Sequence, residues 1–237
     1  MEEHKASTFD DILRLCGYTQ QERKPDEPQE VPGRATRLRV HTQAGKKRYD
    51  VRRFTSEQAV MSALDWHFSP GCIYHVMSAG DVDFLTFVRH VLRQQRAEYL
   101  LLSSWCFGVE DVAEIASWID RGFVGRFDCY MGEIAQASYA KCQEELTTAA
   151  QKTGGRVGVF RNHSKVGVIF GERFDCVICS SANINTNPRA ENTIITCDTE
   201  TADFYKTYFD GIHPFNPTPN TWTPYQRGAR NVSQQTL

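Results

Sequence analysis

The sequence predicts an α/β fold: a mixed sheet flanked by helices on both faces, preceded by a basic N-terminal extension. Three observations predict it. From Cys72 onward, short apolar runs alternate with segments of helical periodicity. Tyr99-Leu100-Leu101-Leu102 is continuously apolar, the pattern of a strand buried on both faces. Lys165–Phe170 followed by Cys176–Cys179 reads as a hairpin, which adds antiparallel pairing to a sheet expected to be mostly parallel.

In chain order, Ile73 to Met77 is a short apolar strand. Asp81 is placed to cap a helix whose Phe84, Phe87, Val88, Val91 and Leu92 fall on one face. The Tyr99–Leu102 strand follows, then a helix with Val112, Ile115, Ala116 and Ile119 inward and Gly122 as its C-cap. Phe127 to Met131 is a third strand. One long helix is expected from about Glu133 to Gly154-Gly155. Strands are expected near Val157–Phe160, Lys165–Phe170, Cys176–Cys179 and Thr193–Thr196, and a last helix runs from near Thr201 to Gly211.

The chain divides into four stretches. Residues 1–33 read as a flexible segment and linker: a short helical pattern over Thr8–Cys16, then polar, proline-bearing sequence. Residues 34–71 form a basic β-hairpin and helix extension. Arg34, Arg37, Arg39, Lys46, Lys47, Arg48, Arg52 and Arg53 face a single acid, Asp50, and Ala44-Gly45 separates two alternating runs. Residues 72–212 are the α/β domain. Residues 213–237 carry Pro214, Pro217, Pro219 and Pro224 and form an extended tail that either packs on the surface or moves freely.

The 237-residue chain has a formal net charge of −2, so overall charge announces neither a nucleic acid nor a membrane. No apolar run approaches the roughly 18–20 residues that span a bilayer, and the N-terminus lacks the layout of a signal peptide. A cytoplasmic protein with no membrane partner is expected. The eight cysteines then read as mostly buried thiols. Cys176 and Cys179 are the tight pair, but on a strand they point to opposite faces, so no metal site is expected.

The chemistry concentrates in one stretch. His163 and Lys165 are two apart, and so are Ser181 and Asn183; Glu191 lies just before another strand. A hairpin brings both pairs to one end of the sheet. Histidine can attack phosphorus or carry a proton near neutral pH. A carboxylate on its far ring nitrogen fixes the tautomer, and Glu191 is the candidate. Lys165, Ser181 and Asn183 supply a cation and hydrogen-bond donors to phosphate oxygens. Arg37, Arg39, Lys46, Lys47 and Arg48 belong to the basic run, whose excess of cations points to phosphate contact.

This order of residues resembles the signature of the phospholipase D superfamily: H-x-K, a strand turn, G-S-x-N, then a carboxylate before a strand. His163, Lys165, Ser181, Asn183 and Glu191 match it, and the resemblance covers about residues 72–212. Three positions depart from it. The superfamily's aspartate, five residues after the lysine, is Phe170 here, with Asp175 a nearby substitute; the glycine is Ser180; and the hairpin is longer.

The superfamily's mechanism uses two motifs, and this chain carries one. His75, His90 and His213 lack a partner lysine at the right spacing and read as core or surface histidines. The resemblance therefore implies the single-motif branch: a homodimer whose two copies share one composite site, cleaving DNA or RNA through a phosphohistidine without metal or other cofactor. In that branch the basic hairpin would extend a shared groove, and Ser103, Ser104, Trp105 and Phe107 would line its rim, Trp105 or Phe107 either stacking on a base or packing in the core. A catalytically weak nucleic-acid-binding or assembly module is the alternative, and a phospholipid-acting enzyme a third.

Overall fold

The computed structural model describes residues 58–60, 68–80, 82–185 and 189–228. The Thr8–Cys16 helix, the 20–33 linker, the basic hairpin and Asp81 lie outside the described residues. The elements, in order, are β1 (Ile73–Ser78), α1 (Phe84–Gln94), β2 (Ala97–Ser104), α2 (Val109–Asp120), β3 (Val124–Gly132), α3 (Ala135–Ser138), α4 (Ala140–Lys152), β4 (Val157–Phe160), β5 (Val166–Gly171), β6 (Asp175–Ser180), β7 (Glu191–Thr196) and α5 (Thr199–Asp210).

The strands form one sheet in the order β1-β7-β6-β5-β2-β3-β4. Its mixed α/β character is as expected; the balance is not. Only β2 with β3 and β3 with β4 pair in parallel, and the other four pairings are antiparallel. Parallel neighbours need a crossover, and helices connect β2 to β3 and β3 to β4 in that way. The crossover through α1 instead sends β1 to the far edge, against β7.

Each residue's parity decides its layer. Leu100 and Leu102 enter the larger core with Phe84, Phe87, Val112, Ile115 and Leu146 from α1, α2 and α4. Tyr99 and Leu101 enter the second core, beneath Ala202 and Phe209 of α5. The continuous apolar run is thus buried on both faces, each such side chain contributing about 1.5–3 kcal/mol. Cys176 lies in the first core and Cys179 packs on the second, opposite sides of β6 as strand alternation requires.

Three local expectations change. Asp83 caps α1, its carboxylate accepting the Thr86 N–H at 2.9 Å and the Thr86 hydroxyl at 2.8 Å. The C-cap of α2 is Arg121, and Gly122 follows it. The long helix breaks at Tyr139, whose side chain packs against the first core.

Residues 213–228 pack onto the sheet. Asn216 bonds both Val159 N–H and Val157 C=O at the β4 edge. Trp222 lies over the Arg156 guanidinium and donates its indole N–H to Asp128 at 3.0 Å. Tyr225 stacks on Tyr99 at 4.6 Å between centroids, and Arg227 pairs with buried Asp175. Asp175 faces Phe170 across the hairpin and also accepts the Thr199 hydroxyl at 2.6 Å. Phe170, in turn, is fully buried against Tyr99 and Tyr225.

Asp128 gathers Tyr99 O–H, Arg156 N–H and Trp222 N–H on one fully buried carboxyl group. Burial outweighs these donors and raises its pKa above the usual carboxylate range. The proton is therefore held more tightly in the folded state. The stability this confers is complete below the unfolded value, about 3.9, and is lost as pH rises through the raised folded one. Asp128→Asn removes the charge and keeps an acceptor for both N–H groups. Its Tm relative to wild type is expected to be most favourable near neutrality and to fall on acidification; melts in which that difference grows at low pH would contradict the assignment.

Candidate active site

Strand direction assembles the candidate residues. β1, β2, β3, β4 and β6 run one way and β5 and β7 the other. The C-terminal ends of β2, β3 and β6 therefore meet the N-terminal ends of β5 and β7 at one end of the sheet. His163 and Lys165 immediately precede β5, Ser181 and Asn183 follow β6, and Glu191 opens β7.

Lys165 is 7% exposed and His163 is exposed. The Lys165 Nζ donates to the His163 carbonyl at 2.7 Å and lies 3.0 Å from its Nδ1 and 3.4 Å from its Nε2. Burial lowers the Lys165 pKa from its usual range, while Cys106 and Glu191 act in the opposite direction. The Trp105 ring stands 5.7 Å from the imidazole, centroid to centroid.

Ser181 donates its hydroxyl to Glu191 Oε2 and accepts the Asn192 N–H at 3.0 Å. Asn183 Oδ1 faces the Ser104 hydroxyl at 3.4 Å, which leaves its amide hydrogens for other acceptors. Ser104 also donates to Cys106 C=O at 2.8 Å and accepts the Ile184 N–H at 3.0 Å. The Gly108 N–H to Ile184 C=O bond at 2.8 Å completes the seam between the two loops. Ser180, in the glycine position, bonds Thr193 at 2.8 Å and the Ala182 N–H at 3.1 Å.

The sequence-expected residues thus occupy one end of the sheet, with two differences in contact. Glu191 is bonded to Ser181, and the His163 ring touches Lys165 and Trp105 rather than a carboxylate among the described residues. Ser103, Ser104 and Phe107 are fully buried, and Trp105 keeps part of its surface in solvent. Phe107 belongs to the first core and cannot receive a base. Arg37, Arg39, Lys46, Lys47 and Arg48 lie outside the described residues.

Sequence reasoning passed over Asn162. Its buried amide donates to Ser103 Oγ at 2.9 Å and Tyr130 C=O at 3.2 Å, and its oxygen accepts Ser164 N–H at 2.9 Å and Ser164 Oγ at 2.6 Å. Asn162 and Ser164 flank His163, so one side chain fastens both to the ends of β2 and β3. Gly132 permits this approach: a Cβ there would lie 2.8 Å from Trp105 C=O and 3.0 Å from Asn162 C=O. The available signal was an asparagine beside a candidate catalytic histidine, too common a pattern to single out. Asn162→Ala strands several buried partners and is expected to cost about 1–3 kcal/mol in urea unfolding; an unchanged midpoint would remove Asn162 from this role.

No protein-family model and no curated protein matches the sequence. Among solved structures, the chain is similar to polyphosphate kinase from Porphyromonas gingivalis at 15% identity and TM-score 0.44, over 64% of this chain and 27% of that one. It is also similar to phosphatidylserine synthase from Haemophilus influenzae Rd KW20, at 14% identity and TM-score 0.41, over 58% and 37% of the two chains. A mutant yeast tyrosyl-DNA phosphodiesterase 1 overlaps at 10% identity and TM-score 0.32, over 52% and 31%. The chain spans well under half the length of each.

Proposed function

We propose that this protein is a metal-independent phosphodiesterase of the phospholipase D superfamily, acting as a homodimeric nuclease through a phosphohistidine. One observation carries the reading: His163, Lys165, Ser181, Asn183 and Glu191, which match the superfamily signature in order, come together at one end of the sheet. Exposed His163 is the nucleophile. Its nitrogen bonds to phosphorus as the bond to the leaving oxygen breaks, and a second histidine delivers a proton to that oxygen. Water, deprotonated by the second histidine, then releases the phosphoryl group. Lys165 and the Asn183 amide hold the non-bridging oxygens, worth about 2.7–4 kcal/mol for a well-placed donor.

The contacts of His163 favour a site completed by another copy. For Nε2 to attack, Nδ1 must carry the proton and face an acceptor. Here Nδ1 faces an ammonium group, while Glu191 is bonded to Ser181. A second copy across a twofold axis would supply the second histidine that the reaction needs. Trp105 would offer a stacking surface for a base, and this favours nucleic acid over phospholipid as substrate.

The test is cleavage of single- and double-stranded DNA and RNA in excess EDTA, with sedimentation at micromolar concentration. Cleavage by a dimer is expected. Binding without cleavage would favour the assembly-module reading, hydrolysis of phospholipid vesicles alone would favour a lipid enzyme, and a strict monomer would defeat the shared site.

A further inference from the structure

Three cysteines lie side by side at one end of three adjacent strands: Cys72 just before β1, Cys197 just after β7 and Cys176 in β6. In the β6–β7 register Val177 faces Thr196, which sets Cys176 against Cys197 one step further on. In the β1–β7 register Ile73 faces Thr196, which sets Cys72 against Cys197. The backbone closes this second pairing. Gly71 N–H donates to Cys197 C=O at 2.7 Å, and Cys197 N–H donates to Cys72 C=O at 2.9 Å. With Gly71 at φ +79, this is the pattern of a glycine β-bulge, in which the residue after the glycine stays opposite its partner.

Alternation puts all three thiols on the same face. Cys176 and Cys197 belong to the first core, as does Ile195. Tyr74 and Val76 of β1 pack against that core, and Cys72 shares their parity. Cys72 is exposed, Cys197 is 2% exposed, and Cys176 is fully buried. Directly opposed residues of an antiparallel pair have Cα atoms about 4.5–5.5 Å apart. A disulfide accepts about 4.4–6.8 Å. The row is therefore graded in access: one thiol faces solvent and its neighbour is within bonding reach behind it.

We propose that Cys72 and Cys197 are a modification site for small-molecule disulfides such as oxidised glutathione, closing to a cross-strand disulfide that ties β1 to β7. The Cys72 thiolate attacks one sulfur of the reagent. That S–S bond breaks, and one glutathione leaves and takes up a proton. Cys197 then loses its proton and attacks the Cys72 sulfur of the mixed disulfide, expelling the second glutathione as a thiol. Two protein thiols are oxidised and one glutathione disulfide is reduced to two thiols.

The order of events follows from access. Burial, with Cys72 beside it, pushes the Cys197 thiol up to about 12, so it stays protonated and is shielded from the reagent. Cys72 reacts first, and Cys197 acts once the mixed disulfide is held against it. The bond is reversible, since an added thiol reduces it by the same exchange run backwards. Its structural effect falls on the β1–β7 pair. Among the described residues β1 pairs with β7, and β7 begins at Glu191, opposite Ser78. A covalent tie at the other end of these two strands fastens β1 to the strand that carries a candidate catalytic residue.

The full chain is incubated with excess oxidised glutathione at mildly alkaline pH without denaturant, then analysed by intact mass and peptide mapping. Expected is the loss of two hydrogen atoms, recovery of a Cys72–Cys197 linked peptide pair, and return to the starting mass with dithiothreitol. Cys72→Ser, at an exposed position, should abolish the linkage and leave the fold unchanged by circular dichroism. Oxidation should raise the Tm of wild type and leave that of Cys72→Ser unaltered. Persistence of glutathione on wild-type Cys72, a Cys176–Cys197 bond, or no reaction would each overturn the proposal. None of these readouts depends on catalytic activity.

Discussion

Replacing His163 with alanine is expected to lower EDTA-resistant phosphodiester cleavage by about four orders of magnitude or more, with the Tm within about 1 °C of wild type. The two expectations come from the same geometry. His163 is exposed, and its ring contacts Lys165 and Trp105 without entering either core. Its loop is held by the neighbouring Asn162 amide and by the Lys165 bond to the His163 backbone carbonyl, neither of which needs the imidazole. Deleting the ring therefore leaves the scaffold in place and removes the atom that would bond to phosphorus. A group that enters a covalent intermediate cannot be replaced by its neighbours, unlike one donor among several to a phosphate oxygen. The measurement is single-turnover cleavage of a labelled oligonucleotide with a parallel thermal melt. Residual cleavage above a few per cent would remove His163 as the nucleophile. A large loss of Tm would make it a structural residue.

Most elements were readable because their signals are local. The Tyr99–Leu102 run, the apolar face of α1 and the opposed side chains of Cys176 and Cys179 each follow from a few consecutive residues and one periodicity. The candidate site was readable for a related reason: His163-x-Lys165 and Ser181-x-Asn183 adjoin strands whose hairpin forces them to one end. The misplaced features depend on partners far along the chain. Which strands pair in parallel is decided by where β1 goes, and that follows from packing over the whole sheet. The sequence leaves the proline-rich tail open between surface packing and free movement, and its docking is decided by Asp128, Tyr99 and Asp175, which lie far from it in sequence. Asn162 was missed similarly, its partners Ser103 and Tyr130 lying on strands that sequence spacing does not bring near it.

Gly155→Ala is expected to be the most damaging small substitution in the scaffold. A Cβ built at Gly155 overlaps the Phe127 carbonyl oxygen, and it lies 2.7 Å from the Phe127 carbonyl carbon and 3.0 Å from Asp128 Oδ1. The first two are backbone atoms of β3, in the interior of the sheet, and cannot swing aside as a side chain would. Relief requires the chain at 155 to move away from β3. That movement pulls on the Arg156 N–H bond to Asp128 at 2.7 Å and on the Cys129 N–H bond to Arg156 C=O at 2.8 Å. Asp128 also holds Tyr99 and Trp222, so the strain reaches the second core and the docked tail. Overpacking of this kind costs about 3 kcal/mol or more, against a total stability of about 5–15 kcal/mol. At about 2–4 °C per kcal/mol for a chain of this size, the Tm should fall by about 10 °C. Gly211→Ala is the matched control: its Cβ meets nothing closer than 3.5 Å and its φ is −75. That variant should melt within about 2 °C of wild type. Equal Tm values for the two variants would show that β3 and the 155–156 turn are not in the close contact on which the buried Asp128 cluster depends.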